Sequence, residues 1–233
     1  MINKIMTLYL VSTPIGNLSD ITLRGIEILN FVDIIASEDT RKTSILLKKF
    51  DISKPQISFY EYNEEKSCQK ILKYLKEGKN VALVTNAGTP SISDPGFTLV
   101  RTAIEEKINI TMVPGASACI MALVLSGLPV NSFIFKGFPP RKAGKRINFL
   151  KEDSMSKHTL VFYESPHRLV KFLEESLLVL GDRKACVCIE MTKKFERIIR
   201  GFISELIQIF SKEKTRGEIT IVISGINKTN KEI

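Results

Sequence analysis

Three scarcities narrow the chemistry before any motif is read. The 233-residue chain has two histidines, His158 and His167, and four scattered cysteines, Cys68, Cys119, Cys186 and Cys188, with no C-x-x-C pair. A structural zinc or a catalytic metal cluster therefore has little support, and the sequence is expected to bind no metal. No apolar run approaches membrane-spanning length, and Met1 to Thr7 leads into a strand pattern rather than a signal peptide, so a cytoplasmic protein with no membrane partner is expected. Neither G-x-G-x-x-G nor G-x-x-x-x-G-K-[ST] occurs, which argues against a usual dinucleotide fold and a Walker ATPase. Acidic residues are also outnumbered, 25 against 34 lysines and arginines, for a net charge of +9. The excess favours an anionic partner, nucleic acid before membrane, although lysine outnumbers arginine by more than two to one and part of the excess is a bias of composition.

What is present is a repeated grammar of strand, loop and helix. Thr7 to Val11 reads as a strand that ends in Thr13-Pro14-Ile15-Gly16-Asn17, with Ser19 or Asp20 able to cap the helix that follows. Val32 to Ser37 is a second strand, ending in Glu38-Asp39-Thr40-Arg41, with a helical pattern from Thr43 to Phe50. Gln56 to Phe59 is a short strand, and Asn63 to Glu77 places Cys68, Ile71, Leu72 and Leu75 at helical spacing. Val81 to Val84 opens onto the most punctuated loop in the chain, Thr85 to Gly96, with two glycines and two prolines. Its small hydroxyl side chains leave backbone N–H and C=O groups uncovered, which suits a small polar ligand. A helix to about Lys107 and a strand from Ile110 to Val113 follow, then Pro114-Gly115-Ala116-Ser117.

Continuously apolar strands alternating with helices describe an α/β fold with a parallel sheet covered on both faces. In such sheets ligands sit outside the carboxyl ends of the strands, where these four loops are expected to gather. A small-residue helix from Ala116 to Leu125 and the stop at Gly127-Leu128-Pro129 mark the change of domain. Beyond it, Phe133 to Lys136 reads as a strand leading into Gly137-Phe138-Pro139-Pro140-Arg141-Lys142-Ala143-Gly144-Lys145-Arg146. Five cations, counting Lys136, interleaved with Phe138 make this either a solvated mobile loop or a clamp on a phosphate backbone. Thr159 to Tyr163 is a strand, and Ser165, Pro166 and Gly181 bracket a helix, which clusters Glu164, His167 and Arg168 at its start. Cys186 to Ile189 runs into Glu190-Met191-Thr192-Lys193, and Ile219 to Ile223 is the last strand, before a polar tail from Asn227 that is expected to fray.

These residues carry a resemblance. Thr13-Pro14-Ile15-Gly16-Asn17-Leu18, Glu38-Asp39-Thr40-Arg41, Ala87-Gly88-Thr89-Pro90 with Ser93-Asp94-Pro95-Gly96, Pro114-Gly115, Tyr163-Glu164-Ser165-Pro166-His167-Arg168, and Glu190 with Thr192-Lys193 occur in one order from about Leu8 to Ser224. In that order they resemble the tetrapyrrole methylase superfamily of S-adenosyl-L-methionine (SAM)-dependent enzymes, and within it the branch acting on small-subunit ribosomal RNA. The resemblance implies two α/β domains, residues 1–118 with a mostly parallel sheet and 119–233 with a mixed sheet, and a cofactor cleft between them. It also implies a homodimer that methylates the ribose 2′-oxygen of a cytidine in the decoding region of 16S rRNA, free or in the small ribosomal subunit. Two positions depart from the pattern: Asn86 stands where an acidic residue is usual, and Ile189 where an arginine is usual. A methylase of a small tetrapyrrole and a non-catalytic RNA-binding assembly factor remain alternatives.

Loop position and resemblance together give Pro14, Gly16, Gly88, Thr89, Pro90, Asp94, Gly115 and Ala116 as the expected cofactor shell. A ribose hydroxyl needs a base, and Glu38 and Asp39 are the leading candidates at the ligand end of a strand; a structural ion pair with Arg41 is the other reading of those carboxylates. Lys193 could serve instead if burial lowered its pKa. Arg41, Lys136, Arg141, Lys142, Lys145, Arg146 and Arg168 are expected to hold RNA phosphates.

Overall fold

The computed structural model describes residues 6–226; the tail from Asn227 lies outside them. Local signals place the first elements. The strand β1 (Thr7–Val11) is followed by a 3-10 turn at Leu18–Asp20, capped by Asn17, before helix α1 (Leu23–Phe31) begins. The cap of α1 is Thr22, whose side chain accepts from the Gly25 N–H at 3.0 Å, and not Ser19 or Asp20, which the 3-10 turn absorbs. After β2 (Ile34–Ser37), α2 (Thr40–Lys49) starts three residues earlier than its apolar pattern indicates, because the Asp39 side chain caps it. There follow β3 (Gln56–Ser58), α3 (Glu64–Lys76), β4 (Val81–Val84), α4 (Phe97–Glu105) and β5 (Asn109–Val113).

These strands form one parallel sheet in the order β3-β2-β4-β1-β5. Alternate residues on its strands feed two cores. One face packs Leu8, Ala36, Val81 and Leu83 against Ile71, Leu72 and Leu75 of α3 and Leu99 and Ala103 of α4. The other packs Val11, Ile35, Ala82 and Val84 against Leu29 of α1 and Leu46 and Leu47 of α2. Helices on both faces explain why the central strands read as unbroken apolar runs, and each fully buried Leu or Ile contributes about 1.5–3 kcal/mol relative to exposure. The strands β1 and β4 are neighbours, yet their connections run to opposite sides, β1 toward β2 and β4 toward β5. That is the topological switch point, where sheets of this kind bind ligands.

The chain divides into two compact units, Met1–Ser117 and Ala118–Ile233. The second contains α5 (Ala118–Ser126), β6 (Phe133–Gly137), α6 (Ala143–Lys151), β7 (Thr159–Glu164), α7 (Leu169–Leu180), β8 (Lys184–Ile189), β9 (Arg197–Phe202), α8 (Ile203–Phe210) and β10 (Ile219–Ile223). Its sheet runs β6-β7-β10-β8-β9; β6 and β7 are parallel and the remaining pairs antiparallel, so it is mixed. Phe162, Val187 and Ile221 pack against Phe172 and Leu173 of α7 and Leu206 and Phe210 of α8. Cys186 and Cys188 project together from β8, their sulfurs 3.7 Å apart. No helix among the described residues is long and apolar enough to cross a membrane.

Candidate active site and nucleic-acid interface

In the first unit the carboxyl-end loops are tied to one another. Thr13 and Gly88 form an isolated antiparallel bridge, with Thr13 N–H donating to Gly88 O at 2.9 Å and Gly88 N–H returning to Thr13 O at 3.0 Å. Gly88 has φ +80°, a left-handed conformation that lets the bridge close and that disfavours a side chain. The Thr13 hydroxyl donates to Thr85 O at 3.1 Å, Ser12 N–H to Val113 O at 3.2 Å, and the Thr89 hydroxyl lies 3.4 Å from both Ser12 Oγ and Ala116 O. A Cβ on Gly115 would stand 2.9 Å from Ser12 Cβ, so only glycine allows the β1 and β5 loops to approach so closely. The β2 loop joins them through Glu38, whose Oε2 accepts the Asn86 N–H at 2.9 Å.

Pro14, Gly16, Gly88, Thr89, Pro90, Gly115 and Ala116 thus lie on loops stitched together at the switch point. Asp94, half-buried, sits further along the β4–α4 loop. Three polar atoms of that connection, Thr85 Oγ1, Asn86 Oδ1 and Ser91 Oγ, are buried with no hydrogen-bond partner among the described residues. Buried polar atoms almost always have one. A polar ligand held against this loop would supply what they lack, so these residues suit a cofactor rich in donors and acceptors. Ser91 and Ser93 also have φ of 71° and 61°, conformations that cost non-glycine residues of order 1–3 kcal/mol each and concentrate at ligand sites.

The three candidate bases differ sharply. Asp39 is committed: its Oδ1 accepts from the Arg41 backbone N–H and Nε, both at 3.0 Å, and its Oδ2 from Nη2 at 2.8 Å. The hydrogen bond from the Arg41 side chain holds its pKa down to about 2, which makes it a weak base. Among the described residues the Glu38 carboxylate accepts from the Asn86 N–H alone, and it is half-buried. Lys193, in the second unit, reverses the expectation made for it. Burial does press its pKa down, but Glu190 Oε1 at 2.8 Å and Glu218 Oε2 at 3.0 Å outweigh that and raise it, so Lys193 stays an ammonium. Its loop is strained as well, with Glu190 at φ 50° and Thr192, a β-branched residue, at φ 67°.

The cations of the second unit also sort by burial. Arg141, Lys142 and Lys145 are exposed. Arg146 is not available to RNA: it is 2% exposed, its Nη2 meets Glu175 Oε1 at 2.7 Å, and its Nη1 donates to Pro140 O and Arg141 O at 3.1 and 2.9 Å. Arg168 pairs with Glu164 at 2.6 Å and donates to Pro139 O at 3.2 Å, and Lys136 pairs with Asp153 at 2.7 Å and Glu152 at 2.9 Å. All three hold the protein's own backbone or carboxylates. The segment read from the sequence as a loop to Arg146 becomes helix from Ala143, which turns Arg146 into the core while Lys145 stays exposed, and spacing alone cannot make that distinction. Arg41, by contrast, is exposed although paired with Asp39, and His167 is exposed in the 3-10 turn before α7. At the two unusual positions, Ile189 is core, 3% exposed, and Asn86 is the residue whose N–H holds Glu38. Ser12, which also ties the loops, lies outside the motifs read from the sequence, whereas Thr13 and Thr85 open loops that those motifs include.

The fold is shared with a cobalt precorrin-4 methyltransferase of cobalamin biosynthesis, with a TM-score of 0.72 and 19% identity over 95% of this chain and 96% of that one. A diphthine synthase aligns with a TM-score of 0.73 and 15% identity over 94% and 90%. These likenesses show a shared two-unit α/β fold. Residues 7–207 match the family of tetrapyrrole (corrin/porphyrin) methylases, and the chain belongs to that family. Its relatives include proteins named ribosomal RNA small subunit methyltransferase I: from Thermotoga maritima, 48% identical over 94% of this chain and 98% of that protein; from Halalkalibacterium halodurans, 46% over 94% and 76%; and from Bacillus subtilis, 44% over 97% and 77%.

Proposed function

We propose that this protein is a SAM-dependent methyltransferase that methylates the 2′-oxygen of a cytidine ribose in the decoding region of 16S rRNA, working as a cytoplasmic homodimer. The observation that carries the reading is the 44–48% identity, over 94% or more of this chain, to proteins named for methylation of small-subunit ribosomal RNA. The choice of cytidine and of the 2′-oxygen rests on the resemblance of the ordered loop motifs.

SAM, when bound, supplies an electrophilic methyl group on a sulfonium. Pro14, Gly16, Gly88, Thr89, Pro90, Asp94, Gly115 and Ala116 would hold it, with Thr85, Asn86 and Ser91 offering their unpartnered polar atoms. The chain's own task is then positioning and proton removal. Glu38 takes the ribose hydroxyl proton: of the three candidates it alone is neither locked to a guanidinium nor held as a cation. Lys193 acts as a fixed positive charge, and Arg41, Arg141, Lys142 and Lys145 steady phosphates.

The test is transfer of tritiated methyl from SAM to small ribosomal subunits, naked 16S rRNA and a tetrapyrrole in parallel, with ribose-methylation mapping of the labelled RNA. Label in one cytidine ribose of the decoding region is expected; label only in the tetrapyrrole, or in none, overturns the reading. Glu38→Gln is expected to lower kcat by about 10²–10⁴-fold with SAM affinity unchanged. Full turnover by that variant removes Glu38 as the base.

A further inference from the structure

Phe138 lies outside every role assigned so far, and its setting is unusual. A lone exposed phenylalanine needs no explanation on a protein surface. Phe138, 58% exposed, sits instead on a segment fixed from beneath at three successive carbonyls, Pro139 O by Arg168 and Pro140 O and Arg141 O by Arg146. Both arginines are themselves held, by Glu164 and Glu175. The pairing of β6 with β7 slips at Phe135/Gly137, and Gly137 takes φ +62°, so the chain turns out of the sheet just before the ring; bulges commonly re-aim a side chain in this way. The ring is backed on one side by Tyr163 at 5.5 Å, which rests in turn on Phe135 at 4.9 Å. Arg141, Lys142 and Lys145 follow, all exposed, and residues 137–146 contain no acid.

An aromatic ring backed on one side, on a segment fixed from beneath and followed in the chain by exposed cations, is an arrangement suited to single-stranded nucleic acid: bases stack on the ring while cations follow the backbone. We propose that Phe138 is a stacking platform for an unpaired base of the RNA substrate, adjacent to phosphates held by Arg141, Lys142 and Lys145. The proposal rests on the reading of this protein as an RNA methyltransferase and adds a feature of the substrate, an unpaired base that stacks on the second unit. It also gives Arg146 and Arg168 a purpose in the site: they are positioning residues that keep the platform in place.

The probes are a short single-stranded ribooligonucleotide spanning the decoding region, its duplex form, and unmethylated small ribosomal subunits. Phe138→Ala is expected to weaken single-strand binding and raise the KM for subunits by about five- to a hundredfold, with SAM affinity, duplex binding and the salt dependence of RNA affinity unchanged. Phe138→Trp is expected to restore binding. The double variant Arg141→Ala, Lys142→Ala should instead flatten the salt dependence, by about 1.4 in log–log slope. Wild-type affinity and KM in Phe138→Ala overturn the stacking role while leaving RNA methylation intact. A change of oligomeric state in that variant, by light scattering, without loss of RNA affinity also overturns it, by assigning the ring to a protein contact. Failure of the wild-type protein to bind or methylate any RNA sinks both readings together.

Discussion

Glu164 ends β7 with its side chain wholly out of solvent, and one of its oxygens, Oε2, has no hydrogen-bond partner. Burial pushes its pKa above the ordinary carboxylate range and outweighs the Ser165 N–H and the Arg168 guanidinium, which pull the other way. The sign of the consequence follows from linkage. A carboxyl whose folded pKa is raised binds its proton more tightly in the native state, so its contribution is complete below the unfolded pKa and is lost as pH climbs through the folded one. Wild-type stability is therefore expected to fall as pH rises from about 4.5, the ordinary glutamate value, and Glu164→Gln is expected to flatten that limb in urea titrations at successive pH values. An unchanged slope in the variant assigns the pH dependence elsewhere. Asp39 shows the opposite case: exposed to Arg41 rather than to the interior, it is a stronger acid than usual. The same residue type is thus tuned in two directions by what surrounds it.

At the scale of elements, the site depends on how closely loops approach. Gly115→Ala places a methyl 2.9 Å from Ser12 Cβ, so the β1 and β5 loops must separate. Misplacement of about 1 Å can cost about a hundredfold in rate, and this variant is expected to lose SAM affinity by calorimetry and lose turnover while keeping its circular dichroism spectrum. Native SAM affinity in the variant takes Gly115 out of the cofactor shell. In the second unit, α7 carries Glu175 against Arg146 of α6, both nearly buried. Removing one partner leaves a buried charge uncompensated, so Glu175→Ala should destabilise the protein by about 3–5 kcal/mol in urea denaturation. It should also release the carbonyls of Pro140 and Arg141, since Arg146 loses the carboxylate that orients it. A loss below about 1 kcal/mol would place Arg146 among ordinary surface cations.

For the molecule as a whole, a net charge of +9 favours association with polyanions but does not say which cations take part. Of seven cationic residues expected at RNA, burial and pairing leave Arg41, Arg141, Lys142 and Lys145 with heads in solvent. Four phosphate contacts predict that the logarithm of single-strand RNA affinity falls with the logarithm of salt at a slope of about −3. A slope near zero removes the phosphate contacts, and one near −5 returns Lys136, Arg146 and Arg168 to the interface together.

Much of the architecture is legible in the residues themselves. Apolar runs such as Val81 to Val84 demand burial on both faces, Gly-Pro punctuation stops the strands of the first unit at definite places, and the alternation of strand and helix gives a parallel sheet. The strand β9 and helix α8 escape such reading, since Arg197-Ile198-Ile199-Arg200 is short, charged and half-exposed. What only the tertiary structure decided is how each charge is engaged: Arg146 and Arg168 bound to the protein's own carboxylates and carbonyls, Lys193 fixed as a cation, Asp39 tied to Arg41, Glu38 clear of any cation and joined to the Asn86 N–H. The physical reason is that sequence sets which groups can ionise, whereas desolvation and the distance to a partner, known only after packing, set whether a group is spent within the protein or remains for a substrate.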